Sequence, residues 1–336
     1  MKNILVFILF VIGLWSCNTT EPPVDDLQPG RRDYVWNVDT LKIPEGRTLP
    51  SRMWGTGKDN IWAVGASYLN AYCIWHYDGN KWENYVPDSY IDPIDIYGFS
   101  QNNIWMSSFD GFLWHFNGVV WSKNSEIKIE NYHRAIIANI CGRTPDNIYA
   151  TGFAESIDYV SYKAVIMHYN GSKWEQVNIP TIVNSFDQIF YDEKAGNYLI
   201  TGWVFDKPDE YIYSFNGNSL KTIYSTQDGL TLYSMANNIY AQVGEKLYKY
   251  KNGSIDIFKD FSKQNNAGGI LGRSEKDFFT INWDGIGHYN GSDLITIYEK
   301  WNDDWFPGGG IVFEKDVFFI WDDSYNTFIV HGKLMN

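Results

Sequence analysis

The chain has few of the residues that characterise disulfide-stapled folds, nucleic-acid-binding proteins or metal sites. It has three cysteines, and 27 basic against 40 acidic residues give a formal net charge of −13. Phosphate binding needs concentrated positive charge and no Lys/Arg cluster is present, so we expect no nucleic-acid partner. The sequence also lacks Cys-based metal motifs, Gly-rich phosphate loops and nucleophile elbows. We therefore expect no metal and no cofactor.

The spaced Leu and Ala pattern typical of helices is also missing. The chain is instead 18% aromatic, contains 29 glycines, and consists of many short apolar runs separated by turn residues. This composition predicts an all-β protein. Residues 31–336 show no second linker, so we expect them to form one domain.

The N-terminus begins with Met1-Lys2-Asn3 and continues with an apolar run of about a dozen residues, too short for a stable membrane span. This pattern predicts a signal peptide over residues 1–16. The segment Leu14-Trp15-Ser16-Cys17 resembles the bacterial lipobox. The resemblance implies that Cys17 carries a lipid that anchors the protein to a membrane. The alternative is an ordinary cleaved signal peptide followed by a chance cysteine.

Residues 17–30 are polar and contain three prolines, which predicts a flexible, lipidated tether. Its acidic residues resemble the surface-export signals of Bacteroidetes lipoproteins. The resemblance implies an outer-membrane lipoprotein in the cell envelope, exposed either to the periplasm or at the cell surface.

A motif of two polar residues followed by an apolar strand occurs seven times between residues 59 and 318. The copies begin at Asp59, Asn102, Asp146, Gly196, Asn237, Lys276 and Lys315. From Ile61 to Val317 the repeat averages roughly 43 residues, the length of a four-stranded propeller blade. A first strand precedes each copy. The sequence therefore predicts a seven-bladed β-propeller of four-stranded antiparallel blades over residues 31–336.

An Asx-Gly pair follows in phase with the first motif in six copies, from Asp78-Gly79 to Asn290-Gly291. Such pairs predict tight hairpins in which both central residues have positive φ. Four copies carry a histidine just before the pair, and these are His76, His115, His168 and His288. Equivalent residues of different blades cannot converge on one ion, so we expect each histidine to bond within its own blade. His133 and His331 lie outside this pattern.

The seventh repeat lacks a fourth strand. Residues 328–333 supply a third strand and a turn, whereas residues 34–41 form an unassigned strand ahead of the first repeat. We expect this N-terminal strand to complete the last blade and close the ring, since closure leaves no unpaired interior edge. Cys73 and Cys141 lie in non-adjacent repeats, so we expect free, buried thiols.

The repeat resembles a family of bacterial secreted propellers with the pattern W-G-x-x-x-x-D-I-W-A-V-G…H-Y-D-G-x-x-W. Residues 54–82 fit this pattern most closely. The resemblance implies the propeller fold, but it implies no particular activity, because these propellers occur in many unrelated roles.

Candidate binding residues lie in the connections between the second and third strands of a blade and between successive blades. These connections vary in length and lie on one face, as expected of a scaffold that carries function on its loops. They are rich in aromatic and acidic residues, which suit sugar rings and protein interfaces. The candidates are Tyr68, Tyr159, Tyr162, Trp203, Trp301, Asp303, Asp304, Trp305 and Phe306. The alternative for each aromatic residue is packing between blades.

Catalysis receives less support. Asp59, Asp146, Asp277 and Asp316 occupy repeat positions, where we expect turn formation with bonds from local backbone N–H groups. A glycosidase needs two facing carboxylates, and the adjacent Asp pairs of this chain point to opposite faces of a strand. The segment 108–114 is one residue shorter than the Asp-box of sialidases.

The sequence thus predicts an anchored, non-enzymatic binding or scaffold lipoprotein that engages a glycan or an envelope protein. The alternatives are a carbohydrate-active enzyme, either a glycosidase or a lyase, and an assembly or sensory accessory protein that acts through a protein partner.

Overall fold

The computed structural model describes residues 28–67, 72–264, 266–300 and 306–335. These residues form 28 strands arranged in seven four-stranded antiparallel sheets, and they include no helix. The protein is therefore a seven-bladed β-propeller, as predicted. No helix that could cross a membrane occurs in the described ranges.

Each blade is a meander of strands A, B, C and D. The first strand of the chain, β1(Tyr34–Leu41), is strand D of blade 7. The strands of blades 1 to 3 are β2(Thr48–Gly57), β3(Asn60–Ser67), β4(Ile74–Tyr77), β5(Trp82–Asn84), β6(Pro93–Ser100), β7(Asn103–Ser108), β8(Phe112–Phe116), β9(Trp121–Glu126), β10(Arg134–Thr144), β11(Asn147–Glu155), β12(Tyr162–Tyr169) and β13(Trp174–Gln176). Those of blades 4 to 7 are β14(Ser185–Asp192), β15(Asn197–Trp203), β16(Glu210–Phe215), β17(Leu220–Thr226), β18(Leu230–Met235), β19(Asn238–Val243), β20(Lys246–Lys251), β21(Ser254–Asp260), β22(Asn266–Ser274), β23(Asp277–Asn282), β24(Gly285–Tyr289), β25(Leu294–Glu299), β26(Phe306–Val312), β27(Asp316–Asp322) and β28(Thr327–Leu334).

The core lies between blades and explains the aromatic residues of the repeat. Trp62 of blade 1 packs on Phe116 and Trp121 of blade 2, with ring centroids 5.1 and 5.7 Å apart. Trp105 of blade 2 repeats this contact on Tyr169 and Trp174 of blade 3. In blades 1, 2, 3 and 7 the aromatic residue of the B strand therefore packs on aromatic residues that flank the C–D turn of the next blade. This contact is a main source of interblade stabilisation.

The innermost A strands carry β-bulges near the start of most blades, and small residues face them. Gly152 of β11 lies against the bulge between Ile137 and Asn139, and a Cβ there would come within 1.9 Å of the Ile136 carbonyl oxygen. Gly65 faces the corresponding bulge of blade 1 in the same way. The glycine of the A-V-G motif is thus required by a close backbone approach.

Side chains of the A strands connect neighbouring blades around the channel. The Asp95 carboxylate accepts a 2.8 Å hydrogen bond from the Ile140 N–H of the next blade. The Asn139 amide oxygen accepts one from Ile189 N–H, and the Gln188 oxygen accepts one from Leu232 N–H. We call Asp95, Asn139 and Gln188 the polar belt. It satisfies backbone donors on the inner edges, which have no neighbouring strand.

The C–D turns differ from the predicted geometry. Only Asn252-Gly253 has positive φ at both residues, at 53° and 86°. In the other five copies only the glycine has positive φ, and the preceding side chain caps the turn. The Asp78 carboxylate, for example, accepts the N–H groups of Asn80 and Lys81. The Asx residue therefore serves as a hydrogen-bond acceptor in a four-residue loop.

The histidines of the repeat bond within their own blades, as predicted. His76, His115 and His168 pair with the Asn that begins the adjacent B strand, at 2.8 to 3.1 Å. His288 and His331 pair with Asp277 and Asp316 in the same way. His331 thus belongs to the repeat, which the sequence analysis missed.

Two aspartates have a different role from the predicted one, because each is bonded to the histidine of its own blade. Asp277 and Asp316 begin strands β23 and β27 and accept hydrogen bonds from histidine rings, where bonds from turn N–H groups were expected. Asp146 does lie in an A–B turn, but its carboxylate accepts the Thr144 hydroxyl.

The N-terminal strand closes the ring, as predicted. β1 pairs with β28 along its whole length, from Tyr34 opposite Leu334 to Leu41 opposite Thr327. The predicted turn at Gly332 is wrong, because this residue lies inside β28 beneath the Trp36 ring. A Cβ on Gly332 would come within 2.5 Å of that ring.

Residues 28–33 add a second N-terminal contact, which we call the strap. Gly30 N–H donates to the Lys276 carbonyl in the A–B turn of blade 6, at 2.7 Å. The Arg32 guanidinium donates to the carbonyls of His288 and Asp293 at 2.9 and 2.6 Å. The strap packs beside His288, whose ring is fully buried. Gly30, which was expected to belong to the tether, therefore contacts the propeller.

Candidate functional site

The two faces of the propeller differ in their connections. A–B and C–D connections are two to four residues long, whereas B–C and D–A connections range from two to eight. The antiparallel order puts B–C and D–A connections on one face, which we call the loop-rich face. The opposite side is the short-turn face. Length variation is thus concentrated on one face, as expected.

Exposed apolar side chains are concentrated on the loop-rich face. Of seventeen exposed large apolar residues among the described ranges, nine lie in the connections of this face, and Val119, Val120 and Met335 lie on the short-turn face outside the strands. The nine are Val86, Tyr90, Phe109, Ile157, Tyr159, Val160, Ile182, Trp283 and Tyr325. Exposed apolar groups on one side of a protein are typical of an interaction surface.

Negative charge is concentrated on the same face. The described B–C and D–A connections contain twelve acidic and six basic residues. The A–B and C–D connections, together with the strap, contain eight of each. The excess acidic charge of the connections therefore belongs to the loop-rich face, and the short-turn face is electrically balanced.

A cluster of four aromatic residues joins blades 3 and 4 on the loop-rich face. Tyr162 begins β12 and stacks on Phe205 of the next blade, with ring centroids 3.7 Å apart and planes 14° apart. Trp203, which ends β15, lies 4.4 Å from Phe205. Phe153 completes this aromatic cluster at 5.9 Å from Phe205. The four residues are each half-buried, so part of the cluster is accessible to solvent.

The B–C loop beside this cluster, residues 156–161, is the most apolar exposed loop of the face. Ile157 and Val160 are each 75% exposed, and Tyr159 is 58% exposed with a positive φ of 58°. The Tyr162 hydroxyl donates to the Tyr159 carbonyl at 2.7 Å, which fixes the loop to the cluster. The apolar side chains at its tip thus project from a fixed base.

Two carboxylates lie at the channel mouth between blades 4 and 5. Asp187, Glu210 and Trp203 line a cavity of about 140 Å³. Partial desolvation raises the pKa of both carboxyls, although the Asp187 side chain stays exposed and Glu210 is half-buried. The positive charge of Arg52 partly offsets the rise in the pKa of Asp187. For Glu210, a hydrogen bond from the Leu230 N–H partly offsets the rise in pKa, whereas the negative charge of Asp187 increases it. This pair is the arrangement on the face that most resembles a general-acid site.

Arg52 also connects this pair to the polar belt. Its Nε lies 3.8 Å from the Asp95 carboxylate, which is 4% exposed. Burial raises the pKa of Asp95 to about 6, against the opposing effects of Arg52, the Ile140 and Ile96 N–H groups and Asn139. Arg52 therefore interacts with acidic groups of two other blades, and it balances part of the negative charge at the mouth.

A second cavity of about 290 Å³ lies at the seam between blades 1 and 7. Arg47 and Asp322 form an ion pair at its edge, and Pro50, Pro307 and Gly308 form its walls. A Cβ on Gly308 would lie 2.9 Å from Ile320, so this wall of the cavity has no room for a side chain. The seam thus has both polar and apolar walls.

The structure brings only part of the predicted set together. Tyr162 and Trp203 lie in the aromatic cluster, and Tyr159 lies beside it, with its backbone carbonyl bonded to the Tyr162 hydroxyl. Tyr68, Trp301, Asp303, Asp304 and Trp305 lie outside the described residues, and the backbone of Phe306 begins β26.

Other residues of the face went unrecognised in the sequence. The apolar tip at Ile157 and Val160 was within the predicted loop but was not singled out. No sequence pattern pointed to Arg52, Asp187 and Glu210. Arg52 lies in blade 1 and the two carboxylates lie in blade 4, so their interaction depends on the closed ring. Among the described residues, no group of His, Cys, Asp and Glu is arranged to hold a metal ion.

No protein-family model and no curated protein match this chain. Solved propellers are similar in fold. A catalytically inactive virginiamycin B lyase from Staphylococcus aureus, with quinupristin, has a TM-score of 0.63 at 12% identity and covers 90% of this chain and 100% of its own.

YCF48 bound to D1 peptide has a TM-score of 0.63 at 11% identity, covering 92% and 100%. The extracellular domain of the putative hybrid two component system BT3049 from B. thetaiotaomicron has a TM-score of 0.61 at 12% identity, covering 88% of this chain and 42% of its own.

Proposed function

We propose that this protein is a lipid-anchored, non-enzymatic binding protein of the bacterial cell envelope that engages a protein or glycan partner through its loop-rich face. The observation that carries the proposal is the segregation of exposed apolar side chains and acidic charge onto that face. Apolar anchors with a charged surround are typical of interfaces. Cys17 is the proposed lipidation site, and no cofactor or metal is required.

The similar structures support a binding role by analogy. YCF48 is a propeller seen with a bound peptide, and BT3049 contributes an extracellular propeller domain to a putative two component system. Because propellers carry unrelated functions, these similarities support a binding role by analogy only and do not identify the ligand.

The test uses residues 28–336 as bait against solubilised envelope proteins and against a glycan array. A variant with Ile157→Asp and Val160→Asp removes the apolar loop tip on the loop-rich face. Its matched control carries Val119→Asp and Val120→Asp, which change two exposed valines on the short-turn face, 81% and 40% exposed. We expect saturable binding that falls at least tenfold in the first variant and is unchanged in the control. Loss of binding in both variants, or in the control variant alone, would contradict the proposal.

The Asp187 and Glu210 pair supports a second candidate function, a carbohydrate-active enzyme that works at the channel mouth. Both carboxyls have a raised pKa, and Trp203 supplies an aromatic wall. The wild type and the Asp187→Asn and Glu210→Gln variants would be incubated with envelope polysaccharides and the products analysed by mass spectrometry. Turnover by the wild type that both variants lose would favour the enzyme, whereas binding without turnover would favour the first candidate.

A further inference from the structure

We propose that the short-turn face is the side of the propeller that faces the lipid bilayer, so that the loop-rich face is displayed away from the membrane. This orientation rests on the proposed anchor at Cys17. It follows from the path of the N-terminal strap and from the charge of the two faces.

The chain enters the propeller on the short-turn face. Tyr34, the first residue of β1, pairs with Leu334 at the short-turn end of β28, and Leu41 pairs with Thr327 at the loop-rich end. Any anchor upstream of β1 is therefore attached to the short-turn side.

The strap moves the point of departure from the rim to the underside of the ring. Without it the chain would leave from Tyr34, in the outermost strand of blade 7. Instead, Gly30 N–H donates to the Lys276 carbonyl in the A–B turn of blade 6, close to the inner strands. Arg31 donates to the Met335 carbonyl at 2.6 Å, and Arg32 donates to blade 6. A tether that leaves from beneath the ring holds the short-turn face toward its anchor.

The strap fits this place closely. A Cβ on Gly30 would come within 2.7 Å of both the Asp277 carboxylate and the His288 ring. Arg32 also forms an ion pair with Asp293 at 2.9 Å. The contacts to blade 6 come from two residues, Gly30 and Arg32, and reach an A–B turn, a C strand and a C–D turn of that blade. They therefore fix the direction of the chain at this point.

The length of the tether limits how far the propeller can turn. Eleven peptide steps separate Cys17 from Gln28, so the tether spans at most about 40 Å when fully extended. To bring the loop-rich face to the bilayer, the chain would have to pass around the outside of the ring. The tether therefore favours contact through the short-turn face.

Electrostatics favours the same orientation. The short-turn connections and the strap contain eight acidic and eight basic residues, whereas the loop-rich connections contain twelve acidic and six basic ones. An anionic membrane repels the loop-rich face within a Debye length of about 8 Å. It has no comparable effect on the balanced face.

The test measures the height of each face above the membrane in the full-length lipidated protein. Single cysteines replace Ser172 in the C–D turn and Ile157 in the B–C loop of blade 3. These sites lie at opposite ends of β12, which spans about 26 Å. A fluorescent donor is attached to each cysteine, and the acceptor is a headgroup-labelled lipid in vesicles of phosphatidylethanolamine and phosphatidylglycerol. We expect greater energy transfer from position 172 than from position 157.

A second pair in blade 6, Ser292→Cys and Trp283→Cys, distinguishes a flat ring from a tilted one because blades 3 and 6 lie nearly opposite. We expect both pairs to give the same contrast. Equal transfer within a pair, or greater transfer from the loop-rich sites, in a protein that is acylated and floats with the vesicles would overturn the orientation alone. A protein without acyl groups by mass spectrometry, or one that still floats as Cys17→Ala, would overturn the proposed anchor and the orientation together.

Discussion

The carboxylate of Asp95 in blade 2 accepts a hydrogen bond from the backbone N–H of Ile140 in blade 3, at 2.8 Å. This bond joins the inner edges of two blades at a place where burial raises the pKa of the carboxyl to about 6. The junction between blades 2 and 3 thus contains an ionisable group whose charged form the surroundings disfavour.

The pH dependence of stability should reveal this group. Because the folded-state pKa of Asp95 lies above its ordinary value of 3.8, its contribution is fully present below pH 4 and is lost as the pH rises through about 6. The lost free energy of unfolding is ~3 kcal/mol. We expect Asp95→Asn to be less destabilising, relative to wild type, at pH 7 than at pH 4. Urea unfolding at both values measures the difference, and an unchanged difference would refute the assignment.

The glycine that faces the bulge of blade 3 should not tolerate a side chain. Gly152→Ala places a methyl group against the Ile136 carbonyl oxygen, and we expect a loss of about 3 kcal/mol in the free energy of unfolding. Gly57→Ala is the control, since its Cβ would meet the Asp59 carboxylate only at 3.4 Å, and it should change stability by about 0.5 kcal/mol or less. Thermal unfolding compares the two, and similar effects would mean that the close approach does not matter.

The closure of blade 7 should depend on Trp36. This ring packs on Gly332 and on Tyr298 of blade 6, whose ring centroid lies 4.8 Å away. We expect Trp36→Ala to cost about 3 kcal/mol. Val35→Ala, in the same strand at a side chain that is 52% exposed, should cost about 0.5 kcal/mol or less. Hydrogen exchange should locate the Trp36→Ala effect in β1 and β28, and uniform loosening of all seven blades would argue against a local role.

The strap should control the protonation of His288. Burial is the largest cause of its lowered pKa, and it outweighs the opposing bond to Asp277. Gly30→Leu displaces the strap and admits water, so we expect the pKa of His288 to rise toward its ordinary value of 6.5. An NMR titration of the imidazole protons measures the change. His76, in blade 1, should titrate as in the wild type, and a shift of both histidines would indicate general loosening.

The two propeller thiols should be unreactive in the folded protein. Cys73 and Cys141 are free and buried, and burial raises their pKa to about 11 and about 12. The thiolate is the reactive form, so a thiol reagent at pH 8 should label neither residue until denaturant is added. Rapid labelling of the native protein would show that one of these strands opens readily.

The repeat made the fold predictable from sequence, and the exceptions have a local cause. Each blade supplies its own turn and aromatic residues, so the seven copies, their period and the role of residues 34–41 followed from pattern alone. His331 was missed because its repeat carries Gly332 without the Asx that precedes a turn. That position continues into β28 to receive β1, and the pairing partner lies at the other end of the chain.

The features of the loop-rich face were only partly predictable. Loop lengths identified the face, and Tyr159, Tyr162 and Trp203 were singled out because aromatic residues in a long loop are unusual. The Asp187, Glu210 and Arg52 arrangement was not found, since it joins residues of blades 1 and 4 that have no relation in sequence. The strap was missed because Gly30 and Arg32 lie in a polar segment without periodicity.

Pairing Tyr34 with Leu334 also determines when folding can finish. The two strands are three hundred residues apart in sequence, so the last hydrogen-bonded ladder cannot form until the whole chain has been synthesised. A chain truncated before β28 would keep β1 and β27 as open edges, which invite proteolysis and aggregation. Formation of the stable ring therefore requires both β1 and β28, and a chain that lacks either strand cannot close it.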